Sequence, residues 1–271
     1  MTEFSTTPEI LVLKNSRPSW LMPHRIILAL IFLLLVGVAA VYLRWDWIPQ
    51  YRDQLLAGIG RTVALLVTTS AVGLIFAIAL GLAQVTGPRS LGLLARGFCG
   101  IIRGTPLLLQ LWLLYYGVGS LLAQYPEIRS STLWPLLRQA WPYGFLALTM
   151  SFAAYEGEVM RGAFAGVPRG ELEAAKAYGM GRWKVFRRIW LPRAFHRALP
   201  TLAGDFVAQM KSTPLVATIT VVDVYGVISK VRQATYLTYE PLFLLAVVYA
   251  VLTGIIVAGF KFLEGRVPVK T

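Results

Sequence analysis

PRGELEAAKAYGMGRWKVFRRIWLP, residues 168–192, reads as two short helices joined by a bend. Pro168 suits a first helical turn, where its missing N–H costs nothing, and Glu171 and Glu173 place negative charge near the positive end of the dipole. Good helix formers continue through Ala174, Ala175 and Lys176, and Gly179 and Gly181 are both able to take the left-handed conformation that ends a helix. In the second helix Trp183, Phe186, Ile189 and Trp190 recur on one side, while Arg182, Lys184, Arg187 and Arg188 charge the other. Pro192 is expected to stop it. Small residues at the bend make the hairpin a knob that a second protein can approach closely.

The sequence around this basic hairpin is apolar. Of 271 residues, 56% are hydrophobic and only 14% charged; a soluble chain carries about a quarter charged, so the composition points to a bilayer. The net charge of +13 then reads as membrane topology rather than as affinity for nucleic acid, because basic residues collect on the cytoplasmic side. Cys99 is the only cysteine, and His24 and His196 are the only histidines. No catalytic, cofactor or metal site is expected from that inventory.

Residues 1–25 form a polar tail, expected in the cytoplasm, and 26–43 an uncharged run long enough to span, closed by Arg44, Trp45, Asp46 and Trp47 at headgroup level. Further spans are expected over 62–85, over 106–123 after a basic connector at 89–103, and over 241–260. Two weaker regions lie between. Residues 143–160 are interrupted by Glu156 and Glu158, and 199–224 contain Asp205, Gln209, Lys211 and Asp223. If both weak regions span, most of the 26 Lys and Arg residues fall on one side, together with both termini and the hairpin. The fold class is therefore all-α, a polytopic membrane protein of about six helices. No internal repeat is visible.

Charges at membrane depth are costly, so they face water or one another. Asp205 and Gln209 are four residues apart, and Ser212 continues their stripe; these three are expected to line a pathway, with Lys211 on another face fixing a helix end or a partner carboxylate. A structural polar network between helices is the competing reading. Glu156 and Glu158 point to different faces, which disfavours a paired-carboxylate enzyme site, and Glu158 with Arg161 is expected to form an ion pair. No P-loop is present: Lys211-Ser212-Thr213 lacks the glycines that cradle phosphates.

The spacing Glu173-Ala174-Ala175, Gly179, Ile189, Leu191-Pro192 resembles in full the loop that defines permease subunits of bacterial ATP-binding-cassette (ABC) importers. Arg103-Gly104-Thr105-Pro106 with Gln110, Ala153-Ala154-Tyr155 with Glu158, Val167-Pro168-Arg169-Gly170 and Ala198-Leu199-Pro200 are similar to the polar amino-acid permeases, which import histidine, arginine, lysine, ornithine, glutamine, glutamate and opines. The resemblance implies a type I permease fold over 58–265, preceded by an added helix and outer loop at 26–57, with a cytoplasmic coupling loop at 165–193. It also implies the partners: two ATPase subunits, a second permease chain identical or sister to this one, a periplasmic solute-binding protein, a polar amino-acid substrate and membrane lipid. The location it implies is the bacterial inner membrane. A permease for an osmolyte or methionine, an integral-membrane enzyme and a stand-alone secondary transporter are the alternatives. Pro214, after Lys211-Ser212-Thr213, departs from the family's usual small residue and is expected to free a backbone carbonyl.

Overall fold

The computed structural model describes residues 23–265, and every regular element among them is helical. The tail 1–22 and the C-terminal stretch 266–271, which includes Arg266 and Lys270, lie outside the described residues. Helix α1 (Pro23–Tyr42) belongs to a unit that ends at Trp45, and a second unit begins at Asp46.

The second unit opens with α2 (Ile48–Thr86), 39 residues long. At 1.5 Å per residue this is roughly 58 Å, well beyond the hydrocarbon core. The stretch 48–57, expected in an outer loop, is therefore helical, and Arg52 and Asp53 ride on its first turns. Trp47 is not an exposed anchor: it is 5% exposed and packs near the Tyr51 ring. Gly87 and Pro88 follow the end of α2, as expected.

The connector at 89–103 is also a helix, α3 (Arg89–Gly104). Gly92, Ala95, Cys99 and Ile102, three or four residues apart, are buried on one face, so its period is amphipathic rather than loop-like. Pro106 breaks the chain there. Thr105 before it is extended (φ −112°, ψ 141°), as a residue preceding proline prefers, and α4 (Leu107–Trp112) departs at 102° to α3. A π-helical turn (Leu113–Gly119) and α5 (Ser120–Leu122) prolong α4, and α6 (Pro126–Arg129) and α7 (Trp134–Leu137) are short helices in the segment that follows.

Helix α8 (Trp141–Ala165) is buried on most of its faces. It packs on α2 through Gly73, Ala77 and Gly81, four residues apart. A Cβ on Gly81 would stand 2.8 Å from the Arg161 backbone nitrogen, and one on Gly73 2.9 Å from the Phe152 ring. The two backbones approach this closely because α2 carries only glycine and alanine along the seam.

After the hairpin helices α9 (Arg169–Ala177) and α10 (Arg182–Val185), the chain does not stop at Pro192. A π-helical segment (Phe186–Trp190) leads directly into α11 (Leu191–Ser212) and a 3₁₀ turn (Thr213–Ile219). The wider π turn just before Pro192 accommodates a residue that would clash with an α-helical carbonyl four positions back. Pro214 cannot donate to the Met210 carbonyl, yet that carbonyl is not left free as expected: in the tighter 3₁₀ turn it accepts from the Thr213 N–H and, at 2.8 Å, from the Thr213 hydroxyl. Thr220 then turns left-handed (φ 71°), and Asp223 caps α12 (Val224–Thr235) by accepting from the Gly226 N–H at 2.8 Å. Helix α13 (Tyr239–Gly265) closes the described chain.

Among the described residues, α2 and α13 are each long and apolar enough to cross a membrane, and counting each of the bent pairs α3–α4 and α11–α12 as one broken span gives up to four. Helices α1 and α8 coincide with the other two stretches expected to span, 26–43 and 143–160.

Candidate functional site

Two regions gather the residues singled out by sequence. The first is the hairpin. Tyr178 ends α9, Gly179 is left-handed (φ 76°), its N–H bonds the Lys176 carbonyl at 2.9 Å, and the Met180 N–H bonds the Ala175 carbonyl at 3.1 Å. These two bonds make a complete Schellman stop. Gly181 is instead extended (φ −64°, ψ 157°) and precedes α10, so only one of the two glycines uses its conformational freedom. Glu171 on α9 pairs with Arg193 on α11 at 3.0 Å, clasping the two arms. Ala174, Ala175, Ile189 and Pro192 line one groove of about 760 Å³. Gly179 stands exposed at the tip, with nothing within 4 Å of where a Cβ would be. Glu173 is exposed, whereas Leu191 turns inward and packs on the core around Met160 and Phe164.

The second region is a cavity of about 280 Å³ inside the bundle. Asp205, Gln209 and Ser212 of α11 line it together with Thr105, Ser151 and Tyr155. Lys211 faces elsewhere; it is exposed and makes no ion pair among the described residues. Gln209 is buried, and its amide donates to the Thr69 hydroxyl at 3.2 Å and to the Leu148 carbonyl at 3.1 Å. It thus serves both readings at once, lining the cavity while bracing α2, α8 and α11.

Around the cavity the elbow at Pro106 is held by Gln110. Its amide donates to the Ile102 carbonyl at 2.8 Å, the group that Pro106 deprives of a partner, and to Thr105 Oγ1 at 2.8 Å. Arg103 lies over the Tyr155 ring at 5.4 Å and 4.0 Å from Glu158, which also pairs with Arg161 at 3.0 Å as expected.

Sequence reasoning gave Glu156 no role of its own. It is fully buried and its carboxyl faces that of Asp205. The available signal was its distance from Glu158: two residues on a helix separate an outward ion pair from an inward carboxyl.

The chain resembles proteins of known role across these features. Residues 73–268 match the model of binding-protein-dependent transport system inner membrane components. The octopine transport system permease protein OccM of Rhizobium radiobacter is 40% identical over 210 residues, 78% of this chain and 84% of that protein. The histidine/lysine/arginine/ornithine transport system permease protein HisM of Escherichia coli K12 is 32% identical over 222 residues, 81% and 90% of the two chains. A crystal structure of an amino acid ABC transporter with histidines superposes with a TM-score of 0.68 at 25% identity, covering 83% of this chain and all of that one. The hairpin and the cavity both fall inside the matched span. The chain belongs to the family of binding-protein-dependent transport system inner membrane components, as an integral membrane permease subunit.

Proposed function

We propose that the chain forms the translocation pathway for a polar or basic amino acid or an opine, and that a separate ATPase drives it through the hairpin. The names of its relatives, octopine and histidine/lysine/arginine/ornithine permeases, support that substrate class. The observation that carries the reading is the exposed, Gly179-tipped hairpin, built continuously into a helix that also lines the cavity: α10, the π segment and α11 run without interruption from Arg182 to Ser212. A push on the hairpin therefore reaches Asp205, Gln209 and Ser212 through one rigid element.

In this reading Glu173, Ala174, Ala175, Gly179, Ile189 and Pro192 present or shape the surface that the ATPase grips, and Leu191 anchors it to the bundle. Asp205 supplies the anionic wall for a cationic substrate, and Ser212 offers a hydroxyl. The cavity is close to the lower end of small-molecule pockets, roughly 300 Å³. Two ATPase copies and a second permease chain, identical or sister, complete the complex, and both termini lie in the cytoplasm with the hairpin. A periplasmic solute-binding protein docks over the opposite ends, near 44–61 and 124–139. Fuel comes entirely from the partner. The permease domain spans 58–265, with the 26–57 segment as an addition.

The test is uptake in the assembled complex. Asp205→Asn is expected to depress transport at least about tenfold, the effect of one lost charge-assisted contact, with normal membrane abundance; unchanged uptake would remove Asp205 from the path. Gly179→Leu strains a left-handed turn and fills the tip, so ATP hydrolysis is expected to lose its dependence on solute while the chain still inserts.

A further inference from the structure

The hairpin has a second groove, of about 690 Å³, on the flank away from the motif residues. Its floor is apolar, formed by Leu82, Leu172 and Val185, and Thr86 adds the last turn of α2. Lys176 and Arg182 stand on its rim, and neither forms an ion pair among the described residues. Trp183 is 67% exposed and rests against Phe186, with ring centroids 5.5 Å apart. Trp190, by contrast, is fixed: its indole N–H donates to the Phe164 carbonyl at 3.0 Å.

Three features agree on what fills it. Leu82 and Thr86 stand at the end of the span expected over 62–85, which places the groove near the depth of lipid headgroups. Its rim carries two uncompensated cations, which attract a phosphate. An exposed indole beside them is the side chain that settles at the membrane–water boundary. We infer that this groove binds one anionic phospholipid, its phosphate held by Lys176 and Arg182, its glycerol region against Trp183, and an acyl chain along Leu82 and Leu172. The ATPase is the less suitable occupant, because Ala174, Ala175, Ile189 and Pro192 line the other groove. The lipid thus wedges the hairpin against the end of α2 and sets the resting angle of the coupling arm.

The test uses the complete permease–ATPase complex, reconstituted in phosphatidylcholine nanodiscs with or without phosphatidylglycerol and then released for native mass spectrometry. Wild-type complex is expected to retain phosphatidylglycerol. Removing both charges (K176Q/R182Q) is expected to lower that retention roughly tenfold with the ATPase still bound, since each cation contributes a comparable share near an anionic surface. The charge-preserving exchange K176R/R182K is expected to restore it. Excess inorganic phosphate is expected to leave the lipid in place, because the apolar floor holds the chains. Undiminished lipid in K176Q/R182Q would overturn the assignment. Loss of the ATPase from that variant would also overturn it, by giving the groove to the protein partner. Phosphate displacing the lipid would reduce the site to a bare anion contact and overturn it as well. The coupling reading stands or falls separately, on whether Gly179→Leu uncouples hydrolysis.

Discussion

Helices α8 and α13 are of similar length and lie in the same bilayer, yet they solve opposite problems. Along α13 the most apolar window contains no fully buried residue, and only Glu240 and Pro241 at its start are buried, while one side packs on the chain through Phe260 against Phe206 and Tyr249 against Thr213. Helix α8 is enclosed: Ala147, Leu148, Ala154, Glu156 and Met160 have no measurable exposure. A helix that turns most of its surface outward into a bilayer must be apolar along its length, because lipid offers polar groups no partner. The helix surrounded by protein is free of that constraint and so carries Thr149, Ser151, Glu156 and Glu158. Low hydropathy at the centre of this fold is a sign of burial among helices.

The sharpest way to test the contrast is to add volume to each environment. Gly81 meets the α8 backbone, which cannot move aside as a flexible side chain would. Gly81→Val is expected to destabilise the bundle by about 3 kcal/mol or more, the upper end for overpacking, with loss of folded protein in detergent extracts. Gly259→Val on α13, where nothing lies within 4 Å, is expected to leave thermal unfolding of the purified chain within a degree or two, roughly 0.5 kcal/mol. Equal effects would mean that α13 also packs tightly, through a partner chain.

A polar substitution refines the same comparison at smaller amplitude. Gln209→Leu deletes the bonds to Thr69 and Leu148 that join three helices. The Thr69 hydroxyl keeps its own bond to the Leu65 carbonyl at 2.7 Å, so the loss is expected to be about 1 kcal/mol, in the range of interhelical hydrogen bonds in membranes. Uptake should fall by more than stability predicts if Gln209 also touches substrate. Thr213→Val is a related case without the substrate: it removes the hydroxyl's bonds to Tyr249 and to the Met210 carbonyl, which keeps the Thr213 N–H, and is expected to cost about 1 kcal/mol in the same unfolding measurement, with uptake following stability alone.

How much of this was legible beforehand depends on where the determining neighbours sit. The hairpin was readable because its signals are local: an acidic first turn at Glu171, the left-handed stop at Gly179 and charges facing away from Phe186 and Trp190. The stripe of Asp205, Gln209 and Ser212 was readable for the same reason, since helical period alone places them together. What escaped was set by neighbours distant in the chain. Helix α3 passed for a connector because its buried face is built of Gly92, Ala95 and Cys99, residues too small to announce a core. The Gly73-Ala77-Gly81 seam was spelled out at four-residue spacing, but its meaning depends on Phe152 and Met160 lying opposite. Pro192 read as a stop because a one-dimensional rule assumes an α-helical ladder, and the π segment before it supplies a different one. Gln110 was noted as part of a motif, yet its task, satisfying the carbonyl orphaned by Pro106, appears only when the elbow is folded.

The smallest effect discriminates most finely. Ile255 on α13 is 63% exposed within the chain, whereas Leu148 on α8 is fully buried. Leu148→Ala leaves a cavity that neighbouring helices cannot fill and is expected to cost about 2 to 4 kcal/mol. Ile255→Ala creates no cavity if lipid covers it, because acyl chains flow into the space and restore the dispersion attraction that the missing methyl groups had supplied. Its expected cost is below about 0.5 kcal/mol, measured as the change in thermal unfolding in nanodiscs. The same substitution has a different consequence if a second permease chain covers this face. Protein cannot flow, so the void would persist and the cost would rise toward that of Leu148→Ala, while the complex would lose subunits on dilution. A pair of alanine substitutions thus separates a lipid-facing helix from one that faces a partner, using only the fact that lipid repacks and protein does not.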